Sequence, residues 1–153
     1  MSRVRIGLVA LSFAAAGSAC GGTGPSEAQL IDERAAEVMP FDLDKTTHTF
    51  EKLPNGGVQT VVAIESSDAD QVALIQGHLR DEAEMFRRGD YSDPAEIHGM
   101  DMPGLEELRA GYSEIAVEYV ELDDGARLVY TTSDETLVDA LHAWFDRQMM
   151  DHS

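Results

Sequence analysis

Two stretches of the chain place apolar residues three or four positions apart, and each follows a pair of shorter predicted strands joined by a turn. From Lys45 to Leu53 the alternation puts Thr46, His48 and Phe50 on one face of a predicted strand. Pro54-Asn55-Gly56-Gly57 is a hairpin turn, because Asn-Gly tolerates positive φ, and Val58 to Glu65 forms the returning strand. Ser67 is the predicted N-cap of a helix whose apolar face reads Val72, Ile75, Leu79, Ala83 and Phe86, ended by Gly89. Later the pattern recurs. Glu114 to Leu122 and Ala126 to Thr132 pair across Asp123-Asp124-Gly125, and Thr132-Ser133-Asp134-Glu135 caps a helix running to about Met150. That helix shows an apolar face of Val138, Leu141, Phe145 and Met149.

Aligning Ser67-Asp68 with Ser133-Asp134 superposes Val72 on Val138, Ile75 on Leu141, Leu79 on Phe145 and Ala83 on Met149. This suggests a hairpin-plus-helix unit used twice. Any two amphipathic helices share a period, so the match alone leaves duplication and coincidence open. The expected fold is α+β: a four-stranded antiparallel sheet with helices on one face. Between the units, Asp93-Pro94-Ala95-Glu96 reads as a capping box with proline at N1 of a short turn ending at Gly99. Pro103 to Ala110 reads as a second short helix, and Ala28 to Met39 as a helix stopped by Pro40.

The N-terminus changes the picture. Arg3 and Arg5, the apolar run Ile6 to Ala16, and Gly17-Ser18-Ala19 before Cys20 follow the order of a secretory signal peptide. Cys20 is the single cysteine, and small residues directly before it resemble the lipobox of bacterial lipoproteins, with Gly17 where leucine is usual. The resemblance implies acylation of Cys20 and anchoring in a membrane of the cell envelope, facing the periplasm or exterior. The expected organisation is a signal peptide over 1–19, a lipidated tether over 20–40, rich in glycine from Gly21 to Gly24, and one domain over 41–153. Losing Arg3 and Arg5 leaves nine basic residues against 29 acidic ones, a net charge near −20. Such a surface repels nucleic acid and favours metal ions or cationic protein partners.

Candidate chemistry centres on His98-Gly99-Met100-Asp101-Met102. Thioether sulfur favours Cu(I), and imidazole suits copper and zinc. An extended His-x-Met-x-Met string would put the three side chains on one side, as in the Met/His clusters of exported copper-handling proteins. The alternative is that Met100 and Met102 anchor the loop by hydrophobic packing. His78 and His142 lie at the borders of the two helical stripes, and His48 shares its strand face with Phe50. A copper site built from His98, Met100, Met102, His78, His142 and His48 requires these segments to converge. His152, near the C-terminus, is discounted. The competing reading is an acidic interaction module without a metal, binding a cationic or protein partner.

Enzymatic templates are missing. There is no glycine-rich phosphate loop and no Gly-x-Ser-x-Gly, and Asp81, Glu82 and Glu84 read as a solvated helix face. The segments Thr47 to Lys52, His78 to Ala83, His98 to Gly104 and Tyr130 to Phe145 together resemble a family of small bacterial proteins of unassigned activity. Some members carry an aspartate carbamoyltransferase name. That activity is excluded here, because the Ser-Thr-Arg-Thr phosphate motif is absent and the chain is too short for two domains.

Overall fold

The computed structural model describes residues 24–151, so the leader, Cys20 and His152 lie outside the described residues. Helix α1 (Glu27–Val38) is opened by a capping box in which Ser26 Oγ accepts from the Gln29 N–H and Gln29 Oε1 accepts from the Ser26 N–H. It packs Ile31 and Ala35 against Ile97, so the folded body begins ahead of Phe41. Strands β1 (Thr46–Leu53) and β2 (Gly56–Ala63) form the first hairpin, followed by helix α2 (Ala69–Phe86). Short helices α3 (Ser92–His98) and α4 (Leu105–Ala110) fill the connection. Strands β3 (Ala116–Leu122) and β4 (Gly125–Thr131) form the second hairpin, followed by helix α5 (Glu135–Asp151).

The hairpins join through β2 and β4 into a four-stranded antiparallel sheet of order β1-β2-β4-β3. Strand periodicity then sorts the side chains. Gln59, Val61 and Ala63 of β2 and Ala126, Leu128 and Tyr130 of β4 are buried beneath the helices. On the opposite face Thr47, Thr49, Glu51, Glu118 and Arg127 are exposed. Val61, Ile75, Leu79, Phe86, Leu128, Leu141, Trp144 and Phe145 form the middle of the core. Burying each such side chain contributes about 1.5–3 kcal/mol. Two glycines allow the closest approaches. A Cβ on Gly57 would stand 2.5 Å from the Phe145 ring, and Gly104, at φ +79°, would meet the Ala140 carbonyl oxygen at 2.0 Å.

The duplication suggested by the helix patterns is visible in the contacts. Near the first turn, His142 of α5 bonds the carbonyl of Leu53; at the matching place near the second, Gln76 of α2 bonds the carbonyl of Leu122. One turn along each helix, Asp146 pairs with Lys52 and Arg80 pairs with Glu121, with the charges exchanged. The register has the same symmetry, with Gln59 opposite Leu128 at the centre of the β2–β4 ladder. Coincidence of period does not produce matched tertiary bonds. The two units are repeats in structure.

Several local expectations are corrected. The N-cap of α2 is Asp68 rather than Ser67, its carboxylate accepting from the Gln71 N–H. The capping box at Asp93 does not form: α3 starts at Ser92, whose N–H and hydroxyl both donate to Asp90 Oδ1. Met149 is 39% exposed, whereas Gln148 is buried. Leu137, Trp144 and Gln148 also face inward on α5, which centres the buried stripe nearer Leu141 and leaves Met149 on its rim. Among the described residues no helix is long and apolar enough to cross a membrane.

Candidate functional site

A cavity of about 20 Å³ lies between the sheet and the helices. That is room for one water molecule or one ion. Its polar lining comes from five elements: His48 of β1, Gln59 of β2, His78 and Glu82 of α2, His98 of α3 and Gln148 of α5. Each arrives by a simple local rule. His48 points inward because it shares the strand face of Phe50. His78 and Glu82 are one helical turn apart, with His78 Nε2 3.8 Å from Glu82 Oε1 and both side chains at most 10% exposed. His98 ends α3 and is 7% exposed. The Phe41 ring packs against two of the imidazoles, tilted to His48 at 5.9 Å and edge-on to His78 at 5.5 Å.

Burial sets the charge state of this interior. Glu82 is pushed up to about 8, first by desolvation and then by the charge of Asp93, against a hydrogen bond from Gln59 that favours its ionised form. His78 is held below the ordinary histidine value by burial, partly offset by Asp93 and Asp81. At neutral pH the pair is therefore mostly uncharged, a neutral imidazole beside a protonated carboxyl. Tyr130, whose hydroxyl donates to Gln59 Oε1 at 2.9 Å, is raised well above the usual phenol range by burial and by Glu82.

The structure brings His48, His78 and His98 to one cavity and sends the other candidates elsewhere. Gly99, at φ +96°, turns the chain directly after α3, so His98, Met100 and Met102 do not lie along one extended side. Met100 is 67% exposed, and Met102 is buried in the main hydrophobic core, the packing role that was its alternative. His142 lies at the β1–β2 turn. Its Nε2 is 2.9 Å from the Gly56 oxygen and 3.1 Å from the Leu53 oxygen. Carbonyls only accept, so that nitrogen carries its hydrogen and shares it between them. His142 thus ties α5 to the first hairpin. Among the described residues, no three His, Cys, Asp or Glu side chains are yet gathered closely enough to grip a metal ion.

Three lining residues escaped the sequence reading: Glu82, Gln148 and Gln59. A signal existed for two of them. On α2 the buried positions Val72, Ile75, Leu79, Glu82 and Phe86 alternate steps of three and four, so Glu82 sits in the seam rather than on the solvated face. Leu137, Leu141, Trp144 and Gln148 do the same on α5, and Gln148 matches Glu82 in the helix alignment. Compared with protein-family models, curated proteins and solved structures, the chain has no match in any of the three.

Proposed function

We propose that the chain is a lipid-anchored protein of the cell envelope whose folded domain binds a single transition-metal cation. Its nitrogen donors are His48, His78 and His98, and its oxygen donor is Glu82. One observation carries the reading: three imidazoles from three separate elements, with a buried carboxyl, line a cavity sized for one ion. An organic substrate does not fit that volume. The donor set also changes the expected metal. With both loop methionines away from the cavity, its imidazole and carboxyl donors suit Cu(II) and Zn(II), while the thioether on the lining belongs to Met39 at the end of α1. Copper(II) ranks first by general affinity order. Binding has to draw these side chains closer together than they now stand, by changes of rotamer.

The anchor rests on Arg3, Arg5, the apolar run and Cys20, and it places the domain where exported metal ions are encountered. Chelator-competition titration of the full chain in detergent micelles tests the metal. One site is expected for Cu²⁺ and for Zn²⁺, weakened at least about tenfold by His48→Ala, His78→Ala or His98→Ala and unchanged by Met100→Ala or His142→Ala. Binding no tighter than millimolar, or insensitive to the three histidines, sinks the proposal and leaves the acidic interaction module as the reading to pursue. Palmitate labelling that is lost in Cys20→Ala tests the anchor separately.

A further inference from the structure

We infer that Met39 is a donor of the proposed metal site, its thioether joining His48, His78 and His98 so that the site holds Cu(I) as well as the divalent ions. The inference rests on the metal-binding reading and deepens it. Among the described residues, Met39 is the one methionine on the cavity lining, whereas Met100 is exposed and Met102 is buried in the main core. Its place is set locally. Met39 caps α1, with its N–H bonded to the Ala35 carbonyl at 2.8 Å. Its backbone is extended, at φ −85° and ψ 123°, the conformation that a following proline imposes. The chain then passes through Pro40 to Phe41, whose ring centroid lies 5.9 Å from that of His48 and 5.5 Å from that of His78. One short segment thus brings both Met39 and Phe41 to the cavity, with Phe41 already against two of the imidazoles.

The third imidazole arrives by the same contact. Helix α1 packs Ile31 and Ala35 on Ile97 of α3, and Arg34 Nη1 donates to the Ile97 carbonyl at 3.4 Å. His98 is the next residue, so the seating of α1 on α3 brings the thioether and that imidazole to one cavity. Met39 is half-buried and packs against both the α1–α3 cluster and the main core. Three rotatable bonds let its sulfur swing toward an ion while the backbone stays fixed. The chemistry of that sulfur is selective. Protein zinc sites use thiolate, imidazole and carboxylate, whereas a thioether favours Cu(I), and imidazole serves both metals. Met39 therefore gives the site a preference for the reduced ion that its imidazole and carboxyl donors lack.

The test titrates the full chain in detergent micelles with Cu⁺ under anaerobic reducing conditions and, separately, with Zn²⁺, each against a competing chelator. Met39→Leu keeps an apolar side chain of similar size and deletes the sulfur. It is expected to lower the ratio of Cu⁺ to Zn²⁺ affinity by at least about tenfold and to remove a sulfur scatterer from the copper X-ray absorption spectrum. Met100→Leu should change neither. A packing role predicts otherwise: equal losses for both ions, or none, with the ratio and the spectrum as in wild type. Either result overturns the thioether donor, as does a wild-type chain that binds Zn²⁺ through His98 but Cu⁺ no tighter than millimolar. A wild-type chain that binds neither ion overturns the metal reading and this inference with it.

Discussion

His78 and Trp144 hold matching places in the two units, three residues beyond Ile75 and Leu141 respectively, yet their surroundings differ. Trp144 is fully buried among Phe86, Tyr91, Tyr130 and Phe145, with ring centroids 5.7–6.0 Å away. His78 instead borders a cavity with His48, His98 and Glu82. The strands match this contrast: near the edge of the first hairpin His48 points inward, and on β3 of the second Val117 is buried. One half of a repeated scaffold is closed with a large aromatic side chain, and the other is left polar and incompletely filled. The same backbone plan thus places an aromatic ring at one of two matching positions and an imidazole beside a polar cavity at the other.

The aromatic cluster around Trp144, which also takes in Phe86 of α2 and Tyr91 of the connection, is not free of polar cost. Among the described residues, Tyr91 Oη and Trp144 Nε1 are buried without a hydrogen-bond partner. The same rings are closely packed, with Tyr91 stacked on Phe86 at a centroid distance of 4.6 Å. The largest effect should come from breaking this cluster. Trp144→Ala is expected to lower unfolding free energy by about 3–5 kcal/mol, read by urea denaturation. A loss below about 1 kcal/mol would show that the aromatic cluster does not carry the fold.

The polar half should reveal itself through pH. Glu82 has a folded-state value of about 8 against an ordinary 4.5, so folding retains a proton that the unfolded chain releases. Its contribution is full below the unfolded value and falls as pH rises toward 8. His78 acts oppositely, since its value is lowered and stability gained by raising pH is complete near 6.5. The clean window is therefore pH 6.5 to 8, where stability should fall by up to about 1.4 kcal/mol per pH unit. Glu82→Gln should flatten that slope, and an unchanged slope would remove Glu82 as its source.

The smallest effect is expected where the halves match best. Asp146–Lys52 and Arg80–Glu121 are equivalent surface pairs with exchanged charges, each partner between about a third and three-fifths exposed. Asp146→Ala and Arg80→Ala should each cost under about 1 kcal/mol. Arg80 should be the costlier of the two, because its guanidinium also lies 5.0 Å over the Tyr119 ring. A reversed order in thermal denaturation would break the assigned equivalence.

Much of the architecture was legible because periodicity is a local property. Alternation marked the first strand, apolar runs and turn residues marked the other three, and steps of three and four marked both long helices. Even the repeat was present in the pairing of Val72 with Val138 and Ile75 with Leu141. The site was legible only in part. His48 and His78 were singled out by residue type and face, but Glu82 was read as solvated because its neighbours Asp81 and Glu84 are exposed. Its seam position becomes meaningful only beside Leu79 and Phe86.

By itself, then, the sequence determined the α+β class, the hairpins and the helices, because backbone geometry turns spacing directly into local structure, while which strand face carried His48 and Gln59 inward waited on the packing of the hairpin against the helices. Tertiary structure alone decided which of those elements' faces meet. It turned the chain at Gly99 so that His98 entered the cavity while Met102 entered the core, and it held His142 at a hairpin turn. It also surrounded Glu82 with enough protein to keep its proton. Those outcomes depend on contacts between residues far apart in the chain, whose relative placement no local period encodes.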